Sequence, residues 1–426
     1  MMLSLAIPLA GFLFLVLPTG GLCYGCAVTE EERPQLIFLL NKVISSEDTR
    51  TGLNPSILIA LRQARNHNRN VEENLLQRLS QDAVSHAKES YSSGKVALNI
   101  MAQLASCVNP RHVSSSSSTI NLVRLLEQKY QDELQNLNKY QAPLTSFYQL
   151  SLDVLALCLA EGNFSTAEAA NLLKPDKDKK KYYLGNFSVD TAAVSILAQV
   201  CLKNKTLTPK VRHNIAKSVK WLVQQILNHS HDEVLGNLYS TGLAIQALTV
   251  SGIQWNCRES LKMILDQIHK GTFDLPMAAS QIIPSLEGRT YLNVTGLNCS
   301  ADKDDLDIIT TTPSPPTSPP PCICVNYTVS AKVKTFINGT IPVHVPQGSS
   351  LFDVMKVAQD KNWNIFRFTY ENSSWGPYIT SVQELMADNN QRTYWQLLSG
   401  NIPLDRGAGN YIVSDKERLE VRYSKY

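Results

Sequence analysis

The chain lacks the usual markers of several function classes. After residue 17 no apolar run approaches the length of a bilayer-spanning helix. No Gly-rich phosphate loop and no Gly-X-Ser-X-Gly occur, so the common nucleotide-binding and serine-hydrolase signatures are missing. Once Cys23 is set aside with the apolar leader, the remaining eight cysteines are too dispersed for the Cys-X2-Cys pairs of a structural zinc site. Formal net charge is only +3, and no basic stripe is interleaved with aromatics. That excludes the electrostatic footprint of a nucleic-acid binder. The run Lys177-Asp178-Lys179-Lys180-Lys181 reads as a solvated face. Asn228-His229-Ser230-His231-Asp232 lacks the helical spacing of a metal box and reads as a surface loop. Asp302-Lys303-Asp304-Asp305 reads as an acidic solvated loop beside a linker.

What is present points to the secretory path. Residues 3–17 are almost all apolar, the right length for a signal-peptide core, with Gly21 and Cys23 placed for cleavage before Tyr24. Nine glycosylation sequons follow, at Asn163, Asn186, Asn204, Asn228, Asn293, Asn298, Asn326, Asn338 and Asn372. Loss of Cys23 with the leader leaves eight cysteines, an even number that suits disulfides; their connectivity is open from sequence. The expectation is a secreted, extracellular, monomeric glycoprotein with no membrane span.

Along the first two-thirds, six helix-like stretches are crowded with Ala, Ser, Gly, Leu and Ile. Examples are Asp190-Thr191-Ala192-Ala193-Val194-Ser195-Ile196-Leu197-Ala198 and Ser240-Thr241-Gly242-Leu243-Ala244-Ile245. Small and apolar residues on most faces suit a helix surrounded by other helices. Six hairpins of this kind close into a ring, so the expected fold is mainly α, an α6/α6 toroid. The divisions are a signal peptide (1–23), the α6/α6 barrel (24–308), a Pro/Thr/Ser-rich linker (309–321) and a small α+β, β-rich domain (322–426). In the last, Val325–Val329 and Leu419–Tyr423 alternate with period two. Ile341–Pro346 carries prolines suited to an edge strand, and 350–360 has a helical pattern.

Polar clusters recur where ring helices start: Thr145, Ser146, Phe147, Tyr148 and Gln149; Asn186 and Asp190; Asn237 and Ser240; then Gln281 inside the sixth. Singly, each reads as a helix cap. Together at one mouth they make a site rich in hydrogen-bonding groups and poor in acid–base machinery, suited to a large amide-bearing ligand. The small domain adds Ser374, Trp375, Gly376, Pro377, Tyr378 and Ile379. It also adds Trp395, Gln396, Leu397, Leu398, Ser399, Gly400 and Leu404. No catalytic residues, catalytic cofactor or protein-held metal are expected.

These segments resemble the cobalamin-binding transport proteins, the family of haptocorrin, intrinsic factor and transcobalamin. Thr145–Leu159, Phe187–Ala193, Tyr239–Leu248, Trp375–Thr380 and Tyr394–Gly400 carry the likeness. Gly162–Glu168, Gly407-Ala408-Gly409 and the terminal Leu419–Tyr426 favour the haptocorrin branch. The resemblance implies bridges Cys26–Cys257, Cys107–Cys299 and Cys158–Cys201, with the state of Cys322 and Cys324 left open. It implies cobalamin or related corrinoids clamped between two domains by the residues named above, and it leaves a cell-surface receptor open. Transcobalamin has a cobalt-ligating His at the place of Asn186; the amide here implies no protein ligand on cobalt. A glycan on Asn186 would crowd the cleft, so that sequon is expected to be unmodified. Lys95 replaces a Gln contact of transcobalamin, so that contact is not carried over.

Two rivals remain at this level. One is a secreted α6/α6 glycoside hydrolase using carboxylates from Asp153, Glu161 and Asp190. The other is a receptor ligand or inhibitor with a vestigial cleft.

Overall fold

The computed structural model describes residues 26–46, 53–115, 118–175, 180–184, 186–205, 208–307, 321–331, 337–373, 376–388, 391–404 and 406–425. The expected leader, linker residues 309–320, Lys177 to Lys179, Ser374 and Trp375 lie outside the described residues. Among the described residues no helix is long and apolar enough to cross a membrane.

Among the described residues, twelve α-helices fill the first part. They are α1 (Arg33–Ser46), α2 (Pro55–Gln63), α3 (Arg69–Ser90), α4 (Ser93–Ala105), α5 (Leu122–Tyr140) and α6 (Phe147–Leu159). Then come α7 (Thr166–Leu172), α8 (Val189–Asn204), α9 (Pro209–Asn228), α10 (Leu238–Val250), α11 (Arg258–His269) and α12 (Pro276–Leu286). The even-numbered helices pack in sequence, α2 on α4, α4 on α6, α6 on α8, α8 on α10 and α10 on α12; α12 returns to α2.

Sequence explains which helix goes where. Every residue of α2 is buried, as is the run Tyr239–Leu248 of α10. A helix with no polar stripe has no face to offer water. Helix α5 instead buries Leu122, Val123, Leu126 and Tyr130 and, Glu133 excepted, keeps its charged residues out of the core, the pattern of an outer helix. Close packing of α10 against α12 requires Gly242. A Cβ there would lie 2.2 Å from the Gln281 carbonyl oxygen, a contact backbone cannot yield.

Three bridges staple this lobe: Cys26–Cys257, Cys107–Cys299 and Cys158–Cys201. They are the pairs the family resemblance implies. In the chain-entropy account, links across such long separations add roughly 3–5 kcal/mol each. Cys322 and Cys324 are free thiols.

A second hydrophobic core, separate from the helical one, gathers Tyr327, Val329, Val343, Met355, Phe366, Trp395, Val421 and Tyr423. Its main sheet has five strands in the order Ile402–Pro403, Thr393–Ser399, Arg418–Lys425, Cys322–Ala331, Ile337–Pro346. All neighbours are antiparallel except Arg418–Lys425 beside Cys322–Ala331. The Pro-bearing strand Ile337–Pro346 is an edge, as its sequence predicts. Helix α13 (Leu351–Lys361) packs on it, and a three-stranded sheet of Phe368–Ser373, Gly376–Val382 and Leu385–Met386 completes the lobe.

One sequence expectation is refined. The acidic stretch at 302–305 is exposed at Lys303, Asp304 and Asp305, as expected, but its carboxylates are tied to the helical lobe rather than left to water. Asp302 pairs with Arg62 and with His67, Asp304 accepts from the Arg69 N–H, and Asp305 accepts from the His67 N–H. Arg62 and His67 are buried and also share Glu72. Buried charges persist when paired, so this cluster fixes the end of the helical lobe to the turn between α2 and α3.

Candidate functional site

Hydrogen bonds join the starts of neighbouring inner helices in two pairs. Gln149 at the start of α6 accepts a hydrogen bond from the Gly94 N–H at the start of α4, at 3.2 Å. Ser240 in the first turn of α10 donates to Asp190 in the first turn of α8, at 2.8 Å. Several of the polar residues here are caps. Ser146 accepts from the Gln149 N–H, Ser188 from the Thr191 N–H, and Asn237 from the N–H groups of Tyr239 and Ser240. Such caps hold helix starts by about 1 kcal/mol each. The Asn237 side-chain oxygen, Oδ1, is therefore committed to capping.

Asp190 is different. Its Oδ2 accepts from Ser240, but its Oδ1 is buried with no partner outside its own residue. Burial is the largest influence on this carboxyl and pushes it up to about 6, against the opposing hydrogen bond from Ser240. A buried acceptor left unmade costs roughly 1–3 kcal/mol. The mouth thus holds a strong acceptor waiting for a donor.

Thr145 to Gln149 are all partly exposed. Two neighbours fix them. Glu133 of α5, buried, accepts from the Thr145 hydroxyl at 2.6 Å, from the Thr145 N–H at 3.3 Å and from Ser93 at 3.2 Å. Burial raises its carboxyl, against those hydrogen bonds. Gly94 leaves room for Gln149; a Cβ there would meet the Gln149 amide oxygen at 2.7 Å. Neither Glu133 nor Gly94 was expected from sequence. A Glu facing inward on an outer helix is the signal that could have found the first.

Gln281 is buried in α12. Asn186 forms a two-residue strand with Phe187 against Tyr183–Leu184. Phe187 stacks on His229 at 4.8 Å, whose Nδ1 lies 2.8 Å from the Gln225 carbonyl oxygen. The Asn228–Asp232 stretch is the end of α9 and the first strand of a short hairpin, consistent with a surface segment.

The second lobe touches this mouth. The Arg406 guanidinium sits over the Tyr239 ring at 5.2 Å, and Asn410 donates to the Met277 sulfur at 3.9 Å. The same loop backs onto Pro377, whose ring lies 2.9 Å from where a Gly409 Cβ would stand. Tyr378 is exposed, and Pro377 and Leu404 are partly so. By contrast Ile379, Trp395 and Leu398 belong to the lobe's core. Trp395 donates from its indole to the Leu385 carbonyl oxygen and packs on Tyr423. Gln396 points to the other face of the sheet, accepting from Ser424. Leu397 is partly buried, Ser399 donates to Glu417, and Gly400 turns the chain with φ +53°. Gly376 starts the strand that carries Pro377.

The three carboxylates of the hydrolase alternative do not meet. Asp153 is wholly buried, and desolvation first, then the charge of Glu133, holds its carboxyl well above the ordinary range. Glu161 is exposed beyond the opposite end of α6, pairing with Lys205. Only Asp190 lies at the mouth. Lys95 is turned to Asp82 and to the Tyr91 ring, at 3.4 and 3.7 Å. Among the described residues no group of three or more His, Cys, Asp or Glu side chains could hold a metal ion.

Comparisons with known proteins agree with one another. A family model described as eukaryotic cobalamin-binding protein matches residues 8–320, and a model of a domain of unknown function matches residues 348–425. The chain is 39% identical to Transcobalamin-1 of Homo sapiens, covering 99% of both. It is 32% identical to human cobalamin binding intrinsic factor, covering 94% of both. A crystal structure of haptocorrin in complex with Cbi superposes with a TM-score of 0.74 at 37% identity, covering 94% of this chain and 99% of that one.

Proposed function

The chain belongs to the eukaryotic cobalamin-binding protein family, and from that membership we propose that it is a carrier, not an enzyme, that binds and transports cobalamin. The observation that carries the reading is the buried, unpartnered Oδ1 of Asp190 at a mouth of neutral polar groups. Such a mouth favours a ligand with many amide N–H donors, and corrin side chains supply them. The residues that would hold it in the helical lobe are Thr145, Tyr148, Gln149, Asp190 and Ser240. Ser146 and Asn237 set the helix starts beneath them. In the sheet lobe, Pro377, Tyr378 and Leu404 flank the loop that meets Tyr239 and Met277.

In this reading the six inner helices form an α6/α6 toroid spanning 24–308. Residues 309–321 are the linker, and 322–426 is a domain that closes over the ligand. The toroid captures first, and the second domain then seals it. Sealing replaces water on the ligand amides with protein partners and slows release. Asn186 offers no imidazole, so cobalt keeps its own axial groups. Three observations support a secreted glycoprotein: the apolar leader, the paired cysteines and the exposure of Asn163, Asn204, Asn228, Asn293, Asn298, Asn326 and Asn338. A monomer with a cell-surface receptor completes the proposal.

The test is a titration of the purified glycoprotein with cobalamin and with a corrinoid lacking the lower base, read by visible absorbance after gel filtration. A stoichiometric red complex with both is expected. Failure to retain either would overturn the carrier reading.

A further inference from the structure

The outer face of the five-stranded sheet, opposite its core, carries a polar groove of about 740 Å³. Its walls include Ser330, Asn338, Tyr394, Gln396, Glu420 and Arg422. Strand register sets four of these in one transverse row: Gln396 faces Arg422, Arg422 faces Ser330, and Ser330 faces Asn338. With strands about 4.8 Å apart, the row is about 15 Å long. Asn338 stands at its end on the edge strand, exposed, and it is the acceptor of the sequon Asn338-Gly339-Thr340.

We propose that this groove seats the protein's own N-glycan, rooted on Asn338 and lying across the sheet toward Gln396 and Tyr394. The chemistry of the walls suits sugar. Arg422 bonds Glu420 and Asn401, Ser330 donates to Glu420, and Ser424 donates to Gln396. This fixes a row of charged and amide groups against which hydroxyls can both donate and accept. Tyr394 adds an aromatic ring for the apolar face of a pyranose. The volume falls within the range of pockets that hold small ligands. Mobile surface glycans ordinarily leave such a face to water. Here the anchor is part of the wall, so the effective concentration of sugar at the groove is high without a separate binding event. A seated glycan also covers the outer face beside the Ile337–Pro346 edge strand, whose unpaired backbone groups are a template for unwanted pairing.

The proposal rests on passage through the secretory path. Its test uses the intact, natively glycosylated protein, treated undenatured with an N-glycan-releasing amidase. Site occupancy is followed by mass spectrometry of tryptic peptides, with the exposed Asn163 glycan as internal control. The Asn338 glycan is expected to be released at least about tenfold more slowly than the Asn163 glycan, equivalent to ~1.4 kcal/mol of seating. The gap should close in denaturant and narrow in a Tyr394→Ala variant. Equal release rates, or an unoccupied Asn338 beside an occupied Asn163, would overturn the groove assignment alone. Absence of glycan at every sequon would overturn the secretory reading instead.

Discussion

The helical lobe buries Gln63, Gln103 and Gln199 with their amide carbonyl oxygens unpartnered; in the sheet lobe Tyr327 is the one buried side chain left so among the described residues. The helical lobe also holds all three disulfides, whereas the sheet lobe carries two free thiols. One lobe is covalently fastened and holds buried acceptors with unmet hydrogen bonds. The other is an ordinary apolar core under a mixed sheet. A stapled frame can hold an unpaired acceptor such as Asp190 in place before any ligand arrives, which is what preorganisation requires. A lobe without staples suits the part that approaches and withdraws.

Four measurements bear on the difference between the lobes. The largest effect is expected from removing a staple. Replacing both Cys26 and Cys257 by Ser should cost the helical lobe about 2–5 kcal/mol and leave the sheet lobe's melting unchanged, as followed by lobe-resolved hydrogen exchange. Next is Asp190→Ala. Loss of its acceptor should speed cobalamin dissociation roughly tenfold to a hundredfold, from ~1–3 kcal/mol of unmade bonding, in a chase experiment.

The same residue gives a pH signature in the ligand-free protein. Its carboxyl lies at about 6 against an ordinary 3.8, so its ionised form favours unfolding. Its cost is absent below about 4 and fully present above about 6. Asp190→Asn should therefore stabilise the empty protein at pH 7.4 by of order 1–3 kcal/mol, and by almost nothing at pH 4. Urea midpoints at the two pH values check this. A ligand N–H on Asp190 favours the ionised form and lowers its carboxyl in the complex below the value of about 6 in the empty protein, so release should quicken only as pH falls below that value, and the Asn variant should lose that dependence. The smallest effect belongs to the contact between lobes. Arg406→Ala removes a cation–π contact of about 0.5–1 kcal/mol and should speed release only a few-fold, without changing the helical lobe's stability.

Much of this contrast was legible in the chain. The small and apolar character of α10 and α12 gave away inner helices because no charged residue interrupts them. The period-two run at Leu419–Tyr423 and the prolines of Ile341–Pro346 located a central and an edge strand. The even cysteine count fitted disulfides, but only the family resemblance implied their pairs. The site was legible as a zone rather than as contacts. Sequence could not tell that Asn237 spends its oxygen on a cap while Asp190 keeps one spare, because the difference depends on which neighbouring helix supplies a donor. It could not place Trp395 and Gln396 on opposite faces with different roles, since both sit in one polar-aromatic string. Asp302 was misread as solvated because its partners, Arg62 and His67, are over two hundred residues away in sequence.

The most direct test is the rate at which bound cobalamin leaves the wild-type protein, Asp190→Ala and Arg406→Ala, each followed by loss of the red absorbance under excess competitor at pH 7.4. The account predicts slow release from the wild type, a large acceleration for Asp190→Ala and a modest one for Arg406→Ala. Identical rates for all three, or no cobalamin held by the wild type, would contradict it.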